Sequence, residues 1–147
     1  MLQSTTMDMT IRPYLHKDQN AVIKLWSECF LTRPWNKPEL DIEHKLKVNP
    51  ELFLVGLVND KIVATAMGGY DGHRGWVYYL AVNPAYQRQG YGKQMMKVIE
   101  EMLHVMGCHK INLQIREDNV DVVKFYESIG YEVEERVSMG KRLINDG

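Results

Sequence analysis

The chain has 147 residues, a length typical of one compact domain, and we expect a single domain over residues 1–147. Residues 1–8 are predicted to form a flexible N-terminal extension. Hydrophobic residues make up 45% of the chain and charged residues 25%, which excludes a disordered or fibrous protein. The formal net charge of −1 gives no global attraction to nucleic acid or to an anionic membrane, so neither is an expected partner.

The sequence is predicted to stay in the cytoplasm. Its apolar runs, such as residues 53–58, are far shorter than the roughly 20 residues of a membrane-spanning helix. The segment Met1–Asp8 has neither the basic start nor the apolar stretch of a secretory signal. Cys29 and Cys108 are too few for a disulfide framework and are interpreted as reduced thiols. The five histidines show no metal-binding spacing, so no metal site is expected.

A strand and two helices are predicted at the start of the chain. Met9–Tyr14 has a strand pattern, and Asp18 is placed to cap the N-terminus of a first helix. The predicted core face of this helix holds Val22, Leu25, Trp26, Cys29 and Phe30. A second helix is predicted over Glu39–Val48, with Ile42 and Leu46 one turn apart.

An antiparallel meander of three strands is predicted to follow. Leu52–Val58 and Lys61–Tyr70 are strands joined at residues 59–60, where Asn-Asp suits a two-residue hairpin turn. A second turn at residues 71–72 leads into a third strand over Trp76–Val82, with no helix between them.

The longest helix is predicted to begin after Gly90 and Gly92 and to end at Gly107. Its apolar stripe is interpreted as core packing and consists of Met95, Ile99, Met102, Leu103 and Met106. The strand Lys110–Arg116 comes after this crossover helix, so we expect it to run parallel to its neighbour.

A last helix, Val120–Ile129, is predicted to stop at Gly130, and Tyr131–Met139 to return as a strand. The fold class is therefore α/β. We expect a mixed sheet with an antiparallel N-terminal meander, parallel splayed central strands and about four flanking helices.

The segment 82–93 places two glycines between a strand and a long helix. Gly90 and Gly92 allow backbone N–H groups to converge on an anion, and Arg88 and Lys93 add positive charge at the start of the helix. The segment fits a pyrophosphate site, and it fits a simple glycine-rich turn equally well. Glutamine follows Gly92-Lys93, which excludes a Walker A loop, and a methionine replaces the third small residue of a dinucleotide fingerprint.

Two motifs resemble those of the Gcn5-related N-acetyltransferase (GNAT) family. Residues 87–92 read Q-x-x-G-x-G and match the family's Q/R-x-x-G-x-G/A signature, while residues 119–131 read N-x6-Y-x3-G-Y and resemble its C-terminal motif. The order of elements over residues 9–139 is also that of the family. The runs at 68–75 and 33–36 resemble its YpeA branch.

The resemblance implies a single N-acetyltransferase domain that moves an acetyl group from acetyl-CoA to a primary amine by direct attack in a ternary complex. The loop amides would hold the pyrophosphate, and the strand before the loop would present backbone groups to the pantetheine arm and one N–H to the thioester carbonyl. Asn119 would bond the pantetheine or the adjacent chain, and it also suits a helix N-cap. The implied cofactor-binding residues are Leu80, Ala81, Val82, Gln87, Arg88, Gln89, Gly90, Tyr91, Gly92, Lys93, Asn119 and Tyr126.

Tyr126 matches the family residue that protonates the departing thiolate of CoA, so it is the candidate catalytic acid. A phenol with a pKa of ~10 is suited to donate to a thiolate whose conjugate acid lies near ~8.5. The alternative is that Phe125 and Tyr126 only pack the last helix on the sheet.

The general base is left open. Some relatives carry a glutamate at the position of Gln114, and an amide cannot accept a proton. Removing a proton at pH 7 takes roughly 4.6 kcal/mol for a lysine-like amine and about 1.4 for an α-amine, so a weakly basic acceptor reacts without a dedicated base. Groups that could act through water are Glu117, Asp118, Asp71, His73 and Tyr79. The missing carboxylate also fits a catalytically weak CoA-binding or sensing module.

The acceptor is expected to be a small-molecule or peptide amine, held by the first helix pair and the hairpin tips. The candidate acceptor residues are Phe30, Arg33, Trp35, Tyr70 and His73. Arg33 suits a substrate carboxylate, or it is a solvated loop cation. The sequence does not identify the acceptor, the acyl chain length or the oligomeric state, and a homodimer stays open.

Overall fold

The computed structural model describes residues 7–33 and 37–144, and the chain forms two compact units, Met1–Asn112 and Leu113–Gly147. Within the described residues, the larger unit contains a five-stranded sheet and three α-helices, and the smaller unit contains a fourth α-helix. The predicted α/β class with a mixed sheet and four helices is confirmed. Of the predicted extension 1–8, only the last two residues fall within the described part.

The five strands form one mixed sheet in the order β1-β2-β3-β4-β5. The strands are β1 (Thr10–Pro13), β2 (Phe53–Val58), β3 (Lys61–Tyr70), β4 (Gly75–Val82) and β5 (Ile111–Asn112). Neighbours from β1 to β4 pair antiparallel, and β5 pairs parallel to β4. The predicted meander and the parallel strand after the crossover helix are both confirmed.

The helices lie close to their predicted positions. They are α1 (Gln19–Glu28), α2 (Pro38–Lys45), α3 (Tyr91–Val105) and α4 (Val120–Ser128), with single 3-10 turns at His16–Asp18, Pro50–Leu52 and Pro84–Tyr86. Along the part of the chain that the structure describes, no helix has the length and apolar character needed to cross a bilayer.

The hairpin between β2 and β3 turns on Asn59 and Asp60, as predicted. Their φ angles are +50° and +62°, so both residues adopt the left-handed conformation of a two-residue hairpin turn. Asparagine and aspartate tolerate this conformation better than other non-glycine residues, which is why the pair marks the turn in the sequence.

The helices of the larger unit cover both faces of its sheet. Met67 packs in one core cluster with Trp26 of α1, while the next residue, Gly68, faces α3. A Cβ at Gly68 would lie only 3.1 Å from Cδ1 of Ile99, so the glycine lets α3 approach the sheet closely. The alternation of side chains along β3 therefore places α1 and α3 on opposite faces.

Asp18 precedes α1 as predicted, but its carboxylate does not cap that helix. Instead Asp18 accepts two hydrogen bonds from the Arg12 guanidinium, at 2.7 and 3.0 Å, and one from the N–H of Leu15 at 2.8 Å. The cap prediction is wrong because a 3-10 turn precedes the helix and directs the carboxylate back toward β1. Burial opposes the charge, yet Arg12 and Leu15 hold the pKa of Asp18 below its usual value.

Several apolar residues predicted on helix faces lie just beyond the helix ends. Phe30 follows the end of α1 with a φ of +58° and is 78% exposed, so its predicted place in the core is wrong. The left-handed residue turns the chain away from the face that Trp26 occupies. Leu46 follows α2 and Met106 follows α3, and both are exposed, whereas Ile99 in the middle of α3 is fully buried.

The two strands predicted after α3 are the main differences in the sheet. The parallel strand is limited to Ile111–Asn112, and Tyr131–Met139 does not form a strand. Val133, Val137 and Met139 are 74%, 87% and 92% exposed. A strand needs a neighbour for its backbone hydrogen bonds, and the described residues of the smaller unit contain no strand, so alternation alone was insufficient.

We expect Asp18→Asn to lower the free energy of unfolding by about 1–2 kcal/mol at pH 7, because it weakens a charge-assisted pair that is only partly exposed. The pKa of Asp18 is lower in the folded state, so its contribution is full above the ordinary aspartate pKa and is lost as the pH falls through the folded value. Urea unfolding at pH 7 and near pH 3 measures this difference. Asp8→Asn, at an exposed aspartate, is the control, and an equal loss at both pH values would contradict the assignment.

Candidate active site

Strand β4 departs from regular pairing at Tyr79. Thr65 of β3 pairs with Ala81, and Met67 pairs with Tyr78, so β4 has one more residue than β3 over this interval. The extra residue makes a β-bulge. Tyr79 has a φ of +53°, a conformation that is unfavourable for an aromatic residue and that concentrates at functional sites.

Side chains from three elements hold the bulge in place. The Thr65 hydroxyl donates to the carbonyl of Tyr79 at 2.9 Å and accepts from the indole N–H of Trp26 at 2.9 Å. The Tyr79 ring stacks on Trp26 with 3.9 Å between ring centroids. Its hydroxyl donates to Oδ2 of Asp41 in α2 at 2.6 Å. We call these four residues the bulge network.

Burial and the neighbouring Asp41 carboxylate both raise the pKa of Tyr79 far above its ordinary value. The hydroxyl therefore stays protonated and acts as a hydrogen-bond donor. A hydroxyl that stays protonated cannot accept a proton from the amine, so Tyr79 is a poor candidate for the general base.

One edge of β4 has no neighbouring strand over most of its length. Strand β5 pairs only with Gly75 and Trp76, and no other strand among residues 7–33 and 37–112 lies along that edge. The two parallel strands therefore stop pairing after their first residues.

The unpaired edge presents main-chain N–H groups. Asn83 donates its N–H to the carbonyl of Val63 on the β3 side, at 2.8 Å. Because successive residues of a strand point their N–H groups to opposite edges, those of Leu80 and Val82 lie on the free edge. The N–H of Ala81 faces β3 by the same alternation. Leu80 follows directly after the bulge residue.

The loop after β4 presents a second row of main-chain donors. The Gln87 side chain ties this loop to the end of β4 by donating to the carbonyl of Val82 at 2.9 Å. The first helical bond of α3 runs from Gln94 N–H to the carbonyl of Gly90. The N–H groups of residues 88–93 have no acceptor among the described residues.

Backbone conformation explains the glycine at the start of α3. Gly90 has a φ of +86°, and a Cβ there would meet nothing within 4 Å. The position favours glycine because of its conformation, and the space beside it is open. Arg88 and Lys93 are exposed on either side, and they add positive charge to the N-terminal end of the 15-residue helix α3. The ring of Tyr91 is buried, so its side chain does not line the loop surface.

In the smaller unit, Asn119 caps α4, and its side chain accepts from the N–H of Val122 at 3.4 Å. Tyr126 is 7% exposed and makes edge-on contacts with Phe125 and Tyr131. Burial raises the pKa of Tyr126 to about 12, which keeps its hydroxyl protonated at neutral pH. Tyr126 therefore packs against neighbouring rings, and Asn119 caps a helix, as the alternative interpretations expected. Neither contact prevents the residue from also binding a ligand.

Gln114, at the position where some relatives carry a glutamate, donates from Nε2 to the Ser138 hydroxyl at 2.5 Å. Its amide has no proton-accepting role in this arrangement.

The structure does not bring the candidate acceptor residues together. Phe30 and Arg33 follow α1, bonded to each other through Arg33 Nη1 and the Phe30 carbonyl at 3.1 Å. Cys29, which directly precedes Phe30, donates from its thiol to the carbonyl of Val82 at the C-terminal end of β4.

Tyr70 and His73 flank the turn at the N-terminal end of β4, roughly 20 Å from Val82 at about 3.3 Å per residue. Tyr70 donates its hydroxyl to loop carbonyls, and the His73 N–H donates to Asp71. The fifth candidate, Trp35, lies outside the described residues.

The bulge network was not identified from the sequence. Thr65, Trp26 and Asp41 come from three separate elements, and nothing in their spacing indicates that they meet. The adjacent aromatics Tyr78 and Tyr79 interrupt the alternation of β4, and this is the one sequence signal that marks the bulge.

The described residues hold both cysteines as free thiols. No group of three or more histidine, cysteine, aspartate or glutamate side chains within them could bind a metal ion.

A family model described as the acetyltransferase (GNAT) family matches residues 20–131. An acetyltransferase of Yersinia pestis is 49% identical over 138 residues, covering 94% of this chain and 98% of the relative.

Solved structures share the fold. Ard1 from Thermoplasma volcanium has a TM-score of 0.78 and 23% identity, covering 86% of this chain and 84% of its own. AAC(6')-Iy, in complex with the bisubstrate analogue CoA-S-monomethyl-acetylneamine, has a TM-score of 0.76 and 16% identity, covering 93% and 99%. The YpeA branch stays a prediction. With the glycine loop, the mixed sheet and the relatives in agreement, the chain belongs to the GNAT family of acetyltransferases.

Proposed function

We propose that this acetyltransferase uses acetyl-CoA and transfers the acetyl group to a primary amine by direct attack in a ternary complex. The observation that carries the proposal is the presence of two adjacent sets of unpaired main-chain donors, on the free edge of β4 and at residues 88–93. The single-domain organisation over residues 1–147 is part of the proposal, and it is supported by a family match that runs from residue 20 to residue 131.

The loop fits the diphosphate of CoA. Consecutive N–H groups at residues 88–93, the positive end of α3 and the open space beside Gly90 are the features that an anion of this size requires. Arg88 and Lys93 would add charge from the side, as exposed groups whose individual contributions are small.

The free edge of β4 fits the pantetheine arm. When bound, acetyl-CoA supplies an activated thioester whose carbonyl oxygen gains negative charge as the amine attacks. The N–H groups of Leu80 and Val82 would pair with the arm as a neighbouring strand does, and one of them would polarise the carbonyl. A contact of this kind is typically worth ~2.7–4 kcal/mol in the transition state. Ala81 supports the edge from the β3 side rather than contributing its own N–H.

Tyr126 is proposed as the acid that protonates the CoA thiolate, and Asn119 as a hydrogen-bonding group toward the cofactor. Both roles rest on the match to the family's C-terminal motif. Burial raises the pKa of Tyr126, so the hydroxyl is protonated and able to donate, and it is a weaker acid than a free phenol.

The acceptor is proposed to be a weakly basic primary amine. Gln114 offers no base, and the pKa of Tyr79 is too high for one. The bisubstrate analogue bound to AAC(6')-Iy joins CoA and an amine-bearing ligand, which supports direct transfer on this fold. A cytoplasmic location completes the proposal and is supported by the two free thiols.

Gly90→Val is expected to weaken acetyl-CoA binding about tenfold or more, because valine is strained at a φ of +86° and the loop must rearrange its N–H groups. Arg88→Ala should weaken it only a few-fold. Isothermal titration calorimetry measures both. Gly107→Val is the matched control, since it places the same strain, at a φ of +93°, at the other end of α3. Equal losses for Gly90→Val and Gly107→Val would contradict main-chain recognition by this loop.

Tyr126→Phe is expected to lower kcat by roughly 10²-fold or more, with acetyl-CoA affinity nearly unchanged, because it removes only the proton that the thiolate takes up. Free thiol release under saturating substrate gives kcat, and calorimetry gives affinity. Tyr131→Phe, at the ring packed edge-on against Tyr126, is the control. An unchanged kcat in Tyr126→Phe would remove this residue from the mechanism.

A screen of amino acids, polyamines, aminoglycosides and peptide N-termini, read by thiol release, tests the acceptor class. At pH 7, acceptors with a pKa near ~8 should react faster than lysine-like amines, whose rates should rise with pH as the free amine forms. Lysine-like amines that react equally fast at pH 7 would reveal a dedicated base and contradict this part of the proposal.

A further inference from the structure

We propose that the hydrogen bond from the Tyr79 hydroxyl to Asp41 is a positioning device, through which α2 aims the N–H of Leu80 at the acyl carbonyl of the bound thioester. The inference rests on the proposed function, since it assumes that the thioester lies along the free edge of β4. Asp41 and Tyr79 are positioning residues in this account, and neither needs to touch the substrate.

The backbone at Tyr79 directly sets the direction of the next N–H. The peptide group that joins Tyr79 to Leu80 carries that N–H, so any rotation about the backbone of Tyr79 turns it. A left-handed tyrosine costs of order 1–3 kcal/mol and persists only where its surroundings fix it. The aim of Leu80 therefore depends on how firmly Tyr79 is held.

Two kinds of contact hold Tyr79. Thr65 fixes its carbonyl and Trp26 stacks on its ring, and both belong to the packed face of the sheet. The hydroxyl at the far end of the ring is fixed only by Asp41, at 2.6 Å, among the described residues. A hydrogen bond from a phenol to a carboxylate is charge-assisted, and this one is partly shielded from water.

Helix α2 is itself anchored at two points on the sheet. Asp41 in its first turn reaches the bulge, and Lys45 in its last turn donates to the carbonyl of Gly68 on β3 and to that of Val48 at 2.9 Å. Ile42 between them is buried. Burial lowers the pKa of Lys45, although Glu51 nearby opposes this change. An eight-residue helix held at both ends acts as a brace between the bulge and the neighbouring strand.

Tyr79→Phe removes the hydroxyl and keeps the ring that stacks on Trp26. We expect kcat to fall about tenfold, while the dissociation constant for acetyl-CoA stays within about twofold, because a misdirected donor is lost mainly in the transition state. Asp41→Ala should reproduce the effect, and Asp41→Asn, which keeps an acceptor oxygen, should restore most of kcat. The double variant of Tyr79→Phe with Asp41→Ala should be no worse than either single change.

A direct readout is the amide resonance of Leu80 in the cofactor-free protein. Its NMR chemical shift should change in Tyr79→Phe and Asp41→Ala and stay near the wild-type value in Asp41→Asn. Tyr14→Phe is the matched control, because the buried Tyr14 hydroxyl has no hydrogen-bond partner among the described residues and its ring stacks on Phe53 at 4.4 Å. We expect this control to leave kcat and the Leu80 resonance unchanged.

An active wild type whose kcat is unaffected by Tyr79→Phe would overturn the positioning role and leave the proposed function intact. A Tyr79→Phe variant in which kcat, the affinity for acetyl-CoA and the free energy of unfolding all fall together would also overturn the positioning role, because it would indicate a role in stability alone. A wild-type protein that binds no acetyl-CoA would instead refute the proposed function, and the positioning role with it.

Discussion

Thr65 connects the core of the larger unit to the strained residue of β4. Its hydroxyl accepts from Trp26 and donates to the Tyr79 carbonyl, so one small buried side chain satisfies an indole and fixes a peptide group at the same time. The same peptide group carries the N–H of Leu80, so Thr65 helps to set the direction of that donor. The packed face of the sheet thus determines the geometry of its open edge.

The candidate site is built largely from main-chain groups. The N–H groups on the free edge of β4 and those of residues 88–93 are unpaired for different reasons. The first set lacks a neighbouring strand, and the second belongs to a loop and to the first turn of the helix that follows it. A chain with a net charge of −1 can still hold a polyanion this way, because the positive ends of oriented peptide dipoles supply the attraction locally. Exposed cations such as Arg88 only supplement it.

Periodicity and turn chemistry were sufficient to predict most of the fold. The hairpin at residues 59–60, the stripe of α3 and the glycine loop each have a local cause, so the sequence alone identified them. Asp18 and Phe30 were placed wrongly because the last residues around a helix depend on the turns beside it. The prediction of a strand over Tyr131–Met139 was wrong because alternation is a property of one segment, whereas a strand needs a second segment to pair with. The bulge network was missed for a related reason, since its members are far apart in sequence.

The unpaired loop of residues 88–93 has a consequence for how such proteins diverge. A peptide N–H is the same whichever side chain accompanies it, so substitutions at most loop positions leave the chemistry of recognition intact. The positions constrained in type are those with a positive φ, which are Gly90 at +86° and Arg88 at +63°. An overall fold can persist while the sequence drifts, as the fold shared at 16% identity illustrates. If the loop holds the cofactor as proposed, new acceptor preferences can arise elsewhere in the protein without changing it.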